Sequence, residues 1–91
     1  MYAVEYTYGA DTDAGRDAHR PAHRAWLRTL LEAGELRACG PYADGSGALL
    51  FFEGASAAAV RDRLQEDPFV VQGFVTGVRV TEWVPVMGPF T

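Results

Sequence analysis

The chain has one cysteine, Cys39, in 91 residues, and no lysine. A lone thiol allows no intrachain disulfide and fits a reducing compartment, so a cytoplasmic location is the expectation. Every basic residue is an arginine, and the twelve acidic residues outnumber the eight arginines to leave a net charge of −4. Without a basic run, a nucleic-acid-binding face is not expected. No apolar stretch approaches the ~20 residues of a membrane helix. The opening MYAVEYTYGAD alternates apolar with polar residues and lacks a basic n-region, so it reads as a strand and not as a secretion signal. There is no phosphate loop, no dinucleotide glycine pattern and no Gly-Xaa-Ser-Xaa-Gly elbow, which leaves Ser46 a turn residue. His19 and His23 are four apart, but no Glu-Xaa-Xaa-His or cysteine cluster joins them, so neither a metal nor a cofactor is expected.

Apolar residues, by contrast, make up 48% of the chain, enough for a single small globular domain over residues 1–91. A body this small buries roughly 60–65% of its unfolded surface. Some of its apolar surface is therefore expected to be hidden in a dimer. Tyr2, Val4, Tyr6 and Tyr8 alternate with Ala3, Glu5 and Thr7, which predicts a first strand. Residues 9–15 read as a polar loop. A first helix is expected to begin between Arg16 and Pro21, best near Arg20 with Pro21 in its first turn, where a missing N–H is harmless; the alternative is an earlier turn capped by Asp17. Leu27, Leu30, Leu31 and Gly34 mark its inward stripe, and stepping back along that stripe reaches His23 and Trp26. Gly34 is the predicted left-handed stop.

A second strand is predicted over residues 36–42, ending at Gly40-Pro41. The Asp44-Gly45-Ser46-Gly47 turn leads to a third strand over residues 48–52. The run ALLFF is apolar on both faces, which calls for cover on each. Ser56 caps a second helix over residues 57–66, which Asp67-Pro68 stops. A short helical turn follows Phe69. The last strand spans residues 74–84, with Gly77 at a bulge, and residues 85–91 form a tail draped on a neighbour. The order β-α-β-β-α-β is the α+β, ferredoxin-like pattern: a four-stranded antiparallel sheet with two helices on one face.

Within this framework His23 stands out as an inward histidine near the surface end of its helix, three residues after Arg20. A neutral imidazole there can act as a base. Asp67, placed at the C-terminal end of a helix where the macrodipole disfavours its charge, is its natural partner. The alternatives are a satisfied core histidine and a turn-forming aspartate. Cys39 is read as a small core residue, and Trp26, Trp83 and Phe69 as packing. Arg16, Arg20, Arg24 and Arg28 share one helix face, either solvated or, at its N-terminal end, turned toward an anionic ligand.

Arg20 and His23, Gly40-Pro41 after a helix and strand, and Asp67-Pro68-Phe69 before Gly73 and a terminal strand together resemble the YCII-related domain family. The resemblance implies a ferredoxin-like fold similar to the dimeric α/β-barrel group and a homodimer formed through the sheet faces. It also implies an active-site dyad at His23 and Asp67. Dehydrochlorination is a precedent within that family, and muconolactone isomerase-like enzymes have related folds. The expectation is a small cofactor-independent lyase or isomerase acting on a small, activated organic molecule. His23 is its general acid/base, Asp67 its orienting partner, Arg20 the holder of an anionic oxygen and Gly40-Pro41 the rim. The alternative is a non-catalytic dimeric module that binds a metabolite.

Overall fold

The computed structural model describes residues 1–91. The chain runs β1 (Tyr2–Tyr8), α1 (Asp13–Glu32), β2 (Leu36–Pro41), β3 (Gly47–Phe52), α2 (Ala57–Leu64), α3 (Pro68–Val71) and β4 (Val75–Glu82). The strands pair antiparallel in the order β2-β3-β1-β4. With the one-turn α3 appended to α2, this is the expected ferredoxin-like arrangement. No helix is long and apolar enough to cross a membrane.

Strand alternation decides which side chains meet the helices. Tyr2, Val4 and Tyr6 pair with Phe52, Leu50 and Ala48, and all six are buried. Leu36 from β2, Leu30 from α1, and Val60 and Leu64 from α2 complete the core. A register shift between Leu36 and Ala38 gives β2 one extra residue, Arg37. After the shift Cys39 pairs with Leu50, and so lies on the helix side of the sheet. A second shift, between Thr7 and Tyr8, falls opposite Thr76 and not at Gly77, where the bulge was expected.

The first helix is longer than its sequence predicts. It begins at Asp13, so the preceding loop is only residues 9–12, and Pro21 lies inside the helix. Pro21 is on the exposed side, where the lost N–H and any unserved carbonyl are open to water. The added turns are anchored by contacts that a hydrophobic stripe does not reveal. Arg16 is buried, and His19 packs edge-on to Phe74 at 5.3 Å between ring centroids. A Cβ on Gly15 would stand 2.7 Å from the Phe74 ring, so that position takes only glycine without a shift. His23 and Leu30, two turns apart, are buried on the inward line, whereas Leu31 is 52% exposed and does not belong to it. Gly34, at φ +80°, ends the helix. Its N–H donates to Leu31, and the Glu35 N–H donates back to Leu30 at 3.0 Å, the paired bonds of a Schellman stop.

The two shorter helices start as expected. Ser56 caps α2 by accepting the Ala59 N–H at 3.1 Å. On the far face of the sheet, Phe51 packs against Trp83 and against Phe90, at 5.1 and 5.4 Å between centroids. Within the chain the tail thus packs through Phe90, while Val84, Val86 and Met87 stay exposed.

Candidate active site

Asp67 is the most enclosed ionisable residue, with no exposed surface. Its backbone sits between helices. Because α2 has already ended at Leu64, Asp67 is not a charge set against that helix terminus but the N-cap of α3. Its Oδ1 accepts the Phe69 N–H at 2.9 Å. Its Oδ2 accepts the Tyr6 hydroxyl at 2.8 Å. The third partner is His23, whose Nδ1 lies 2.7 Å from Oδ1. A carboxylate that already takes a backbone N–H and a phenol is an acceptor toward the ring as well, so Nδ1 carries the hydrogen. Burial, followed by the Asp67 charge, pushes the Tyr6 phenol far above its ordinary range, which keeps it a donor.

The His23 ring is fixed on two sides. Asp67 holds Nδ1, and Phe69 stacks on its face, with centroids 3.8 Å apart and planes 4° from parallel. Nε2 makes no hydrogen bond within the chain and is not sealed from solvent. It is the one ring nitrogen free to work, and His23 borders a cavity of about 540 Å³. A neutral imidazole with this tautomer presents a lone pair at Nε2.

The cavity lies between α1 and the β2–β3 side of the sheet. The sequence-derived site residues Arg20, His23, Gly40 and Pro41 all line it. Asp67 sits behind the lining, in contact with His23. Apolar wall comes from Leu27, Leu31, Leu36, Leu50 and Phe69. Arg20 pairs with Asp17 at the exposed rim. Cys39 is not a core residue: it faces the cavity beside β2's edge, where α1 stands off the sheet. Desolvation of the thiol and the negative Asp67 both raise its pKa, so it stays a thiol near neutral pH.

Of the other lining residues, Tyr8 was not singled out by sequence reasoning, and Arg16 was read only as one of a row of arginines on a helix face. Tyr8 continues the inward side of β1 to the cavity. Its ring meets the edge of Phe69 at 6.1 Å, and the Arg16 guanidinium lies 4.1 Å from its centroid on the face. Arg16 is itself held, donating from Nε to Thr12 Oγ1 at 3.1 Å and from NH2 to Asp13 at 2.6 Å. Thr12 is anchored to the Gly9 carbonyl at 2.8 Å. This chain of contacts clamps the phenol from a helix turn that the sequence assigns to a loop. Burial, opposed by Arg16, raises the Tyr8 pKa, and no partner within the chain takes its hydroxyl. The only advance signal was the alternation that put Tyr8 on the same face as Tyr6.

Nowhere do three or more His, Cys, Asp or Glu side chains gather in a way that could hold a metal ion. What the site offers is a fixed imidazole, a phenol hydroxyl and a row of guanidiniums around an apolar hollow.

Comparison with known proteins places this arrangement. The model of the YCII-related domain family matches residues 1–84. No curated protein matches the chain. Among solved structures, the 5-chloro-2-hydroxyhydroquinone dehydrochlorinase TftG from Burkholderia phenoliruptrix AC1100, in complex with 2,5-dihydroxybenzoquinone, aligns with a TM-score of 0.78. It is 24% identical, and the alignment covers 92% of this chain and 94% of that one, a likeness of fold.

Proposed function

The chain belongs to the YCII-related domain family, and from that premise we propose that it is a small cofactor-independent lyase or isomerase. Its reaction is proton abstraction from an activated, aromatic or enolisable molecule. The observation that carries this reading is the tie between His23 Nδ1 and the buried Asp67, which leaves Nε2 open to the cavity. In this mechanism Nε2 takes a proton from a hydroxyl or carbon of the substrate. The electron pair left behind moves into the ring or chain as a new double bond. In an elimination the leaving group departs with its bonding pair, and the proton on His23 passes to solvent through the cavity mouth. In an isomerisation the same proton returns to another carbon. Asp67 stabilises the imidazolium and holds the tautomer. Arg20 and the Tyr8 hydroxyl stabilise the oxygen on which negative charge develops.

TftG acts on a chlorinated hydroxyhydroquinone and binds 2,5-dihydroxybenzoquinone. That supports an oxygenated six-membered ring as the first substrate class to try. The test is chloride release from 5-chloro-2-hydroxyhydroquinone and from a panel of halogenated hydroquinones, with wild type beside His23→Ala. Turnover lost in a variant that still folds supports the proposal. Undiminished turnover in that variant overturns it.

A second reading has its own observation. His23 and Asp67 also join α1 to α3 and bring Phe69 against the imidazole ring. In a metabolite-binding module the pair is purely a structural tie. His23→Ala then lowers the melting temperature, and ligands are bound but never consumed.

We also propose that the far face of the sheet forms a homodimer. Leu49 and Phe51 lie there only half-buried, and Val84, Val86 and Met87 are exposed beside them. Apolar area of this kind is normally covered in solution. Light scattering that gives a monomer at micromolar concentration counts against it.

A further inference from the structure

Five of the eight arginines border the cavity: Arg37 on β2, which pairs with Glu53, and the four on α1 at 16, 20, 24 and 28. Their spacing of four lines them along α1, where neighbouring like charges weaken a helix. The first two are compensated: Arg16 pairs with Asp13 and Arg20 with Asp17. Arg24 and Arg28 have no acidic partner at all. The residues three and four positions before Arg24 are Pro21 and Arg20, and those before Arg28 are Ala25 and Arg24, so the helix offers no acid upstream of either; downstream, Glu32 stands four residues after Arg28 but makes no ion pair with it. Yet this chain carries four more negative than positive charges. Two free guanidiniums therefore stand at the mouth of an otherwise apolar hollow, with Leu27 and Leu31 beside them. Leu31, 52% exposed, is one of few large apolar side chains left open outside the tail.

From this juxtaposition we infer that the cavity takes a substrate with an anionic tail, a carboxylate or phosphate on an apolar stem, gripped by Arg24 and Arg28. The inference rests on reading this cavity as the substrate site, and it names the substrate class. The two arginines are four residues apart, about 6 Å along the axis, so both forks reach a single oxyanion. Arg28 lies five residues beyond His23, roughly 7.5 Å along α1. A stem of about one aromatic ring therefore spans from the base to the tail site. Arginine suits this role because its planar fork binds carboxylate and phosphate oxygens in pairs.

The test is calorimetric titration of the full chain with three matched probes: hydroquinone, 2,5-dihydroxyphenylacetate and 2,5-dihydroxybenzylphosphonate. Wild type is expected to bind at least one anionic probe about tenfold more tightly than hydroquinone. Which of the two it prefers tells a carboxylate from a phosphate. In R24Q/R28Q the preference is expected to fall to within about twofold. The melting temperature should hold, because glutamine is a comparable helix former. In His23→Ala the preference is expected to survive. Equal affinity of wild type for all three probes overturns the inference, as does no binding of either anionic probe, or a preference that R24Q/R28Q retains. Because no arm requires turnover, a preference found in a protein that consumes nothing upholds the tail site while removing the catalytic reading.

Discussion

Behind the floor of the cavity Asp67 meets three donors and has no exposed surface, while at the mouth Arg24 and Arg28 make no ion pair. The floor is built from three separate stretches: Tyr6 on β1, His23 on α1, and Asp67 and Phe69 around the start of α3. Groups brought from such distant positions and locked by hydrogen bonds cannot shift without leaving a buried polar atom unpaired. The mouth is built from one helix, its side chains are exposed, and rotamer changes there cost little. The contrast separates two tasks. The floor fixes the direction of one ring nitrogen, and the mouth supplies charge without fixing geometry.

The sharpest way to break that contrast is Asp67→Ala. It removes the acceptor from three donors at once, and losing one member of a buried charged pair typically costs about 3–5 kcal/mol. Denaturant unfolding is expected to show a loss of that size. A loss below about 1 kcal/mol would mean the floor is no more fixed than the mouth. His23→Ala breaks the same pair but leaves Asp67 the Tyr6 and Phe69 donors, so a smaller stability loss is expected, with turnover lowered by about 10²–10⁴-fold, the usual contribution of a positioned acid/base. Initial rates on whichever substrate is identified check this.

Tyr6→Phe is intermediate, because it removes one hydrogen bond to a charged group, worth about 1.5–3 kcal/mol. It also carries a pH signature. The folded phenol titrates above its unfolded value of about 10, so the fold holds more protons than the unfolded chain in alkali. The stability this adds is complete below pH ~10 and is lost as pH rises beyond it. Thermal melts of wild type across the alkaline range should fall more steeply than those of Tyr6→Phe. Smallest of all, Arg24→Gln and Arg28→Gln should each change stability by no more than about 0.5 kcal/mol, as exposed sites do. A larger loss would show the mouth to be structural.

The same contrast explains what the sequence made legible. His23 was found because Leu27 and Leu30 set a helical phase that carries back to it, and Asp67 because Pro68 marked a helix end where its charge would be disfavoured. Those are local patterns. The strand order and the stop at Gly34 were legible for the same reason. Arg16 was hidden because its burial depends on the Tyr8 ring, a contact between β1 and α1, so the first turns of α1 looked like a polar loop. Cys39 was misplaced for a related reason. Its face depends on the extra residue at Arg37, which no turn residue announces, and its exposure depends on where α1 leaves the sheet uncovered. Asp67 was found for a reason the structure amends: the carboxylate is held by the N–H of Phe69 and not pressed against a helix C-terminus.

The central claim is that Asp67 fixes His23 with its hydrogen on Nδ1 and its lone pair at Nε2. Nitrogen-15 NMR of the imidazole, recorded above the titration of the ring in wild type and in Asp67→Asn, measures this without needing a substrate. The account predicts the Nδ1–H tautomer in wild type, and a changed or mixed tautomer in Asp67→Asn. An Nε2–H tautomer in wild type, or a His23 spectrum indifferent to Asp67→Asn, would contradict it.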